Sequence, residues 1–257
     1  MRVRDLLPLV FVGGIVAFIM VQRRALPKPV TVTTPRSVAP NGGEPAAPPP
    51  TIIVTQGAAA APAPQRDDAA IRLQLHDGEA GTYIRDVLEQ QNQLLVRWPE
   101  RRIQALRVWI ERSSSVPNWN ASYPVVAERV FDEWRVAGFP LRFDIVLDSA
   151  GADIQIRWSQ QFLEGGRQIG LTTKTSDPHG WIVKADIVIA TFDPRGQPLP
   201  PETIAGVARH EVGHALGLGH SPSPTDVMYP ESTTPVISAV DRATLHLLYT
   251  LPPGVVK

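Results

Sequence analysis

Residues 210–220 have the sequence His-Glu-Val-Gly-His-Ala-Leu-Gly-Leu-Gly-His and contain three of the six histidines of this 257-residue chain. His210 and His214 are four residues apart, so a helix places both imidazoles on one face, one turn apart. Gly217 is typical of the position that ends a helix with positive φ, and such a turn directs His220 back toward the other two rings. Three imidazoles with an open fourth position suit a catalytic zinc ion better than a structural one. The stretch therefore predicts a single catalytic Zn²⁺.

Glu211 directly follows the first histidine, so its carboxylate can approach the open position of the ion without binding it. Zinc lowers the pKa of its bound water to about 7 and polarises a carbonyl oxygen, which makes hydrolysis of a peptide bond accessible near neutral pH. We predict that the zinc-bound water attacks the peptide bond while Glu211 acts as general base and passes the proton to the leaving amine. The alternative at this point is an accidental match on an exposed helix face that binds no metal.

A methionine follows the third histidine at a fixed distance, within Asp-Val-Met-Tyr-Pro at residues 226–230. Together with the spacing His-Glu-x-x-His-x-x-Gly-x-x-His, it makes residues 96–249 resemble the metzincin zinc peptidases, and Met-Tyr-Pro looks most like the matrixins. The resemblance implies that Met228 lies beneath the metal and that Tyr229 and Pro230 form a wall of the pocket for the side chain after the scissile bond. Astacin-like members have a metal-binding tyrosine where this chain has Pro230, so no fifth ligand is expected.

The elements predicted around the motif are typical of an α+β protein. A helix at 83–95, capped by Thr82, precedes strands at 102–111, 141–147, 153–158, 170–175 and 181–190, and further helices at 122–137, 201–216 and 238–249. Ser238 and Asp241 form a capping-box pattern at the last helix. The order resembles a zincin-like matrixin catalytic domain, at 81–251, with a twisted mixed β-sheet and about three helices.

A second metal site is weakly indicated. Matrixins commonly hold a structural zinc with a His-x-Asp pair and two further histidines, but His179 is the only histidine between residues 147 and 210. We therefore interpret Asp177 and His179 as a solvated turn. Calcium binding through Asp177, Gly180 or Asp186 stays an alternative.

The N-terminal third has a different composition. Residues 6–22 carry no charge and predict a membrane anchor or the apolar region of a signal peptide, after a short polar tail at 1–5. Residues 23–80 are predicted to be a disordered linker, because the ten prolines at 27–65 stand among alanines and glycines with few large apolar residues. The chain has no cysteine, which excludes disulfides, thiolate ligands and the cysteine-based latency of many matrixins. Its formal net charge of zero gives no indication of nucleic-acid binding.

These features predict a zinc endopeptidase anchored by a single membrane span, with its catalytic domain outside the cytoplasm, or a secreted one if residues 6–22 are cleaved. A protein or peptide substrate would add as a strand to the edge strand near Gly170, in a cleft beside the metal helix. Two alternatives remain open. One is an inactive zinc-holding module that binds peptides, and the other is an amidase that acts on cell-wall peptides.

Overall fold

The computed structural model of the chain describes residues 30–32, 51–54, 64–100, 105–136, 141–162, 168–232 and 234–256. The predicted anchor at 6–22 lies outside these ranges. Within them, no helix combines the length and the apolar character that a membrane crossing requires.

The described residues form five helices and nine strands, whereas the sequence patterns predict four helices and the matrixin resemblance implies about three. The helices are α1 (Asp68–Gly78), α2 (Ile84–Gln90), α3 (Ser122–Val136), α4 (Pro201–Ala215) and α5 (Ala239–Thr250). The strands are β1 (Val30–Val32), β2 (Thr51–Val54), β3 (Leu94–Leu95), β4 (Leu106–Ile110), β5 (Phe143–Val146), β6 (Ile154–Ser159), β7 (Gly170–Ser176), β8 (Ile182–Ala190) and β9 (Gly254–Val255).

Seven of these strands form one mixed sheet with the order β1-β2-β7-β8-β6-β4-β5, while β3 and β9 form a small second sheet. Strands β5, β4, β6 and β8 pair in parallel, and β7 pairs with β8 in the antiparallel direction. In β8 the residues Ala185, Ile187 and Ile189 are fully buried, which is the alternation expected of a strand with one face on the core. The predicted mixed sheet is confirmed.

Helix α4 packs against both this sheet and helix α3. It contacts β7 and β8, and α3 packs against it. Trp134 of α3 is fully buried and donates its indole N–H to the backbone oxygen of Arg209 on α4 (3.1 Å). The guanidinium of Arg209 in turn binds the carboxylate of Glu133. Contacts on two sides fix the position of α4, which carries the first half of the histidine motif.

Helix α2 is shorter than the predicted helix at 83–95. Asn92 and Gln93 have positive φ values of 52° and 61°, a conformation that stops a helix and that asparagine tolerates better than most residues. The predicted cap is also wrong, because the N-cap is Tyr83 and the Thr82 hydroxyl instead donates to the backbone oxygen of Gly78 (2.7 Å). The capping box of α5, by contrast, is present between Ser238 and Asp241 as predicted.

Helix α1 lies within residues 23–80, where the composition predicts a disordered linker. That prediction is wrong for this segment, because Ile71 and Leu75, four residues apart, are both buried in the core of the domain. Asp67 caps the helix by accepting from the backbone N–H groups of Ala69 and Ala70 (3.0 and 3.1 Å). Two buried apolar residues at helical spacing thus pack this helix onto the domain.

Strand β7, predicted as an edge strand, has a partner on each side. Residues Thr51–Val54 of β2 pair in parallel with Thr173–Ser176 of β7, and β8 flanks it on the other side. The prediction missed this pairing because Thr-Ile-Ile-Val is a short apolar run within the proline-rich stretch. The N-terminal half of β7, from Gly170 to Thr172, has no partner in β2.

Candidate metal centre

Helix α4 places His210 and His214 next to each other on one face. Their ring centroids are 4.6 Å apart and the ring planes are perpendicular. The ring of His220 lies 5.3 Å from that of His210 and 4.8 Å from that of His214. In the part of the chain that the structure describes, these three residues form the one group of histidine and acidic side chains able to hold a metal, with ligand atoms within 4.8 Å of one another.

The turn after α4 brings the third histidine to this position. Gly217 has φ +112°, and its N–H and that of Leu218 donate to the backbone oxygens of His214 and Gly213 (2.9 and 3.1 Å). These two bonds define a Schellman motif, which satisfies the last carbonyl groups of the helix and reverses the chain. A Cβ atom at Gly217 would lie 2.5 Å from the backbone oxygen of Val96, so glycine is required for space as well as for its φ angle.

Backbone carbonyls fix the orientation of two of the rings. Nδ1 of His210 lies 2.8 Å from the oxygen of Val227, and Nδ1 of His214 lies 3.0 Å from the oxygen of Leu218. These contacts leave Nε2 of each ring for the centre of the cluster, where Nε2 of His214 lies 3.2 Å from Nε2 of His220. Donation of the second ring nitrogen to a carbonyl is the usual arrangement around a metal-binding histidine. The donor set therefore fits a zinc ion.

Gln90 fixes the backbone of His220. Its side-chain amide accepts from the N–H of His220 (2.6 Å) and donates to the oxygen of the same residue (2.9 Å). A Cβ atom at Gly219 would lie 2.8 Å from the Gln90 side-chain oxygen, so the neighbouring glycine makes room for this contact. Gln90 stands 130 residues before His220 and no local pattern signals the contact.

The three imidazoles are neutral near pH 7. Burial is the first cause in each case: it lowers the pKa of His210, and it lowers the pKa of His214 well below the usual value, with help from the charges on His210 and His220. Burial and the charge on His210 lower the pKa of His220 to about 3. Because a metal binds the neutral ring, this environment prepares the cluster for coordination.

Glu211 is buried beside the cluster, with its carboxylate held by Thr172 of β7. The hydroxyl of Thr172 donates to Oε2 of Glu211 (2.6 Å). Burial raises the pKa of Glu211 to about 7, and the hydrogen bond from Thr172 offsets part of that rise. A Cβ atom at Gly170 would overlap Oε1 of Glu211, so the strand needs a glycine where the carboxylate approaches it. No local sequence pattern predicts the contact between Thr172 and Glu211, which lie 39 residues apart.

Met228 lies against the helix. It is fully buried, and a Cβ atom at Gly213 would overlap its sulfur. The buried carboxylate of Asp241 holds the turn by accepting from the N–H groups of Val227 and Met228 (2.8 and 3.4 Å). Tyr229 and Pro230, which follow in sequence, are half-buried.

The turn at residues 177–179 does not join the cluster. Oδ1 of Asp177 accepts from the N–H groups of His179 and Trp181 (2.8 and 3.0 Å), and the His179 side chain is exposed. Asp186 pairs instead with Arg157 and with a lysine on its own strand. The residues form a turn as predicted, but only His179 is solvated, because Asp177 is buried. Among the described residues the structure does not gather Asp177 and Asp186 into one group of ligands.

Comparison with known proteins adds one finding. The family model described as Matrixin matches residues 104–250, more than half of the chain. The matched segment runs from β4 to the end of α5 and so includes the histidine cluster, Glu211 and Met228. No curated protein matches the chain.

Proposed function

Because the chain belongs to the matrixin family of peptidases, we propose that it is a zinc-dependent endopeptidase that cleaves peptides or proteins. The observation that carries the proposal is the convergence of three neutral imidazoles, with ligand atoms within 4.8 Å of one another, beside a buried carboxylate. A structural zinc site closes all four positions with protein ligands, whereas this cluster offers three.

His210, His214 and His220 would hold the ion through the ring nitrogens that face one another. When bound there, zinc supplies Lewis acidity, which lowers the pKa of water and polarises a carbonyl oxygen. Of the three, His214 and His220 are buried, and the carbonyls of Val227 and Leu218 hold the rings of His210 and His214. The cluster is therefore preorganised and needs no large rearrangement to bind the ion.

Glu211 acts as the general base. Its carboxylate accepts a proton from the attacking water and then delivers that proton to the amine of the leaving fragment. A pKa of about 7 suits both steps, because the group gives and takes a proton with similar ease near neutral pH. Thr172 positions the carboxylate through the bond to Oε2, so strand β7 contributes directly to the orientation of the base.

The substrate binds as an extended strand along β7. Its N-terminal half, beside Glu211, has no strand partner in β2, and main-chain pairing at such a strand suits peptides better than small molecules. Tyr229 and Pro230 form the wall of the pocket for the side chain after the scissile bond. This assignment is supported by their position directly after the buried Met228.

Cleavage of a random peptide library tests the proposal. The full chain, loaded with zinc, is incubated with the library, and the products are identified by mass spectrometry, with the metal-stripped protein as control. Internal cuts that depend on zinc support the endopeptidase. Retention of peptides without any cut favours the zinc-holding binding module. Peptides of the cell wall are incubated with the protein in parallel, and cleavage confined to them favours the amidase.

We propose further that residues 6–22 anchor the enzyme and that the catalytic domain lies outside the cytoplasm. The support is the uncharged, apolar composition of this segment and the proline-rich stretch that follows it. Protease added to intact cells should digest the domain, and a domain that is protected until the cells are lysed contradicts the proposed orientation.

A further inference from the structure

Lys174 of β7 is fully buried, and within the part of the chain that the structure describes its ammonium group has no hydrogen-bond partner. Lysine is almost never fully buried unless its charge is paired, so this side chain requires an explanation. Lys174 follows Thr172 by two residues, and successive side chains of a strand alternate between its faces. Lys174 therefore lies on the same face of β7 as the threonine that holds Glu211.

The charge of Lys174 reaches the metal centre. Burial is the first cause of the low pKa values of His214 and His220, and the positive charge on Lys174 lowers both of them further. Burial by itself lowers the pKa of Lys174 to about 7, and no carboxylate contributes a compensating effect. A bound zinc ion would add two positive charges to the same region. Lys174 and a bound zinc ion would thus place positive charge in the same region, which favours an anion there.

A second donor stands next to Lys174 on the same face. Ser176 is fully buried, and its hydroxyl also has no partner among the described residues. An ammonium and a hydroxyl two residues apart on one strand suit a carboxylate, which has two oxygens and can accept from both. A neutral amide would satisfy the donors with one oxygen only and would leave the lysine charge without a counter-charge.

The edge of β7 beside these residues is occupied by β2 in the structure, so a substrate peptide pairs there only by displacing this segment. Residues Thr51–Val54 pair with Thr173–Ser176, and Ile52 lies opposite Lys174. A peptide strand in this position sends every second side chain to the face that carries Lys174 and Ser176. Because Glu211 is bound by Thr172, two residues away, such a side chain lies within about two residues of the bond that is cut.

We propose that Lys174 and Ser176 bind the carboxylate of an aspartate or glutamate in the substrate, close to the scissile bond, and so determine the specificity of the enzyme. This inference rests on the proposed peptidase function. Lys174 takes no part in proton transfer. It selects the peptide by supplying the counter-charge that an acidic side chain needs when it is desolvated.

Peptide capture tests the inference without requiring activity. Full-length Glu211→Gln protein, loaded with zinc and immobilised, is mixed with an equimolar random peptide library, and the retained peptides are identified by mass spectrometry. The ratio of glutamate to glutamine in them is compared with that for Glu211→Gln/Lys174→Met. Methionine keeps the length of the side chain and removes the charge, a change that buried ion sites usually tolerate. The matched control is Glu211→Gln/Lys184→Met, since Lys184 on the neighbouring β8 is half-exposed and pairs with Asp186.

In the parent and in the Lys184 control, we expect glutamate to exceed glutamine by about tenfold or more at one position of the retained peptides. With Lys174→Met, the ratio of glutamate to glutamine should fall to about one. Ser176→Ala, in the same background, should reduce the enrichment by about fivefold or less. Thermal unfolding by circular dichroism checks that each variant is folded.

The assignment is overturned if the parent retains glutamate and glutamine equally, or if the enrichment of glutamate persists in Lys174→Met. Lys174 is then a structural residue. If Lys174→Met does not fold, the Ser176→Ala comparison and the ratio in the parent decide instead. The proposed peptidase function fails separately, when the parent with Glu211 intact cuts no peptide of the library. Cleavage without any preference for acidic side chains overturns only the inference about Lys174.

Discussion

Residues 210–220 and residues 177–179 each bring histidine and a carboxylate together in sequence, and the fold uses the two stretches differently. In the first stretch, hydrogen bonds to backbone groups hold the outer ring atoms and leave nitrogens that face one another within 4.8 Å. In the second, the carboxylate of Asp177 accepts two backbone N–H groups of its own turn while His179 points into solvent.

The difference shows what makes a metal site out of potential ligands. The helical spacing of His210 and His214 directs two imidazoles toward one point, and the Schellman motif at Gly217 directs the third imidazole, that of His220, to the same point. In the 177–179 turn, Oδ1 of Asp177 binds the backbone, Oδ2 is buried without a hydrogen-bond partner among the described residues, and the His179 ring is exposed. The two side chains therefore do not present their ligand atoms to a common point. Proximity in sequence is therefore not enough to form a metal site. The ligand atoms must also point toward one another.

The largest expected effect comes from Glu211→Gln, which keeps the shape of the side chain and all three imidazoles. The amide cannot accept a proton, so the rate of peptide cleavage should fall about 10²- to 10⁴-fold, a barrier increase of about 3 to 5 kcal/mol. Zinc content, measured by elemental analysis, should stay the same. Cleavage at the parent rate by a fully zinc-loaded variant would show that another group is the base.

His220→Ala should disrupt the metal centre at residues 210–220. Loss of one of three ligands should weaken zinc binding by more than the roughly 10- to 100-fold that loss of an outer hydrogen-bond partner costs. His179→Ala serves as the matched control and should leave the affinity unchanged. Competition with a chromophoric chelator gives both affinities. The parent should hold one zinc per chain, and two equivalents would mean that a second site exists.

Thr172→Val should move the pH dependence of cleavage. The hydrogen bond from Thr172 lowers the pKa of Glu211, so its loss raises that pKa, and the base then needs a higher pH to be ionised. The acidic limb of the kcat/KM profile should shift upward by about one unit. Thr173→Val, on the opposite face of β7, is the control. An unchanged profile would show that Thr172 does not act on the carboxylate.

The smallest effect is expected at the turn itself. Asp177→Ala leaves the N–H groups of His179 and Trp181 without their acceptor, which should lower the free energy of unfolding by about 1 to 2 kcal/mol. Zinc affinity should not change. Chemical denaturation and metal titration on the same sample separate the two quantities, and a loss of zinc in the variant would connect the turn to the metal centre after all.

Local chemistry explains which features the sequence could predict. The end of α4 and the cap of α5 follow from Gly217 and from Ser238 with Asp241, which act within a few residues. Gln90 and Thr172 act on His220 and Glu211 across long separations, and only the folded sheet and helices bring them together. Sequence periodicity carries no information about such contacts, so these two supports of the site could be found only in the structure.

If the substrate pairs with β7 as proposed, the pairing of Thr51–Val54 with Thr173–Ser176 makes the N-terminal segment its competitor. One side of a strand holds a single partner, so a peptide that extends along this half of β7 has to displace the segment. A tethered competitor acts at an effective concentration on the order of millimolar, without any second molecule. Removal of residues 1–63 should therefore lower KM and leave kcat unchanged, which steady-state kinetics on the two chains can measure. An equal KM would show that the segment leaves the strand freely. If KM instead falls on removal, the stretch that precedes the domain sets the substrate concentration at which the enzyme reaches half of its maximal rate.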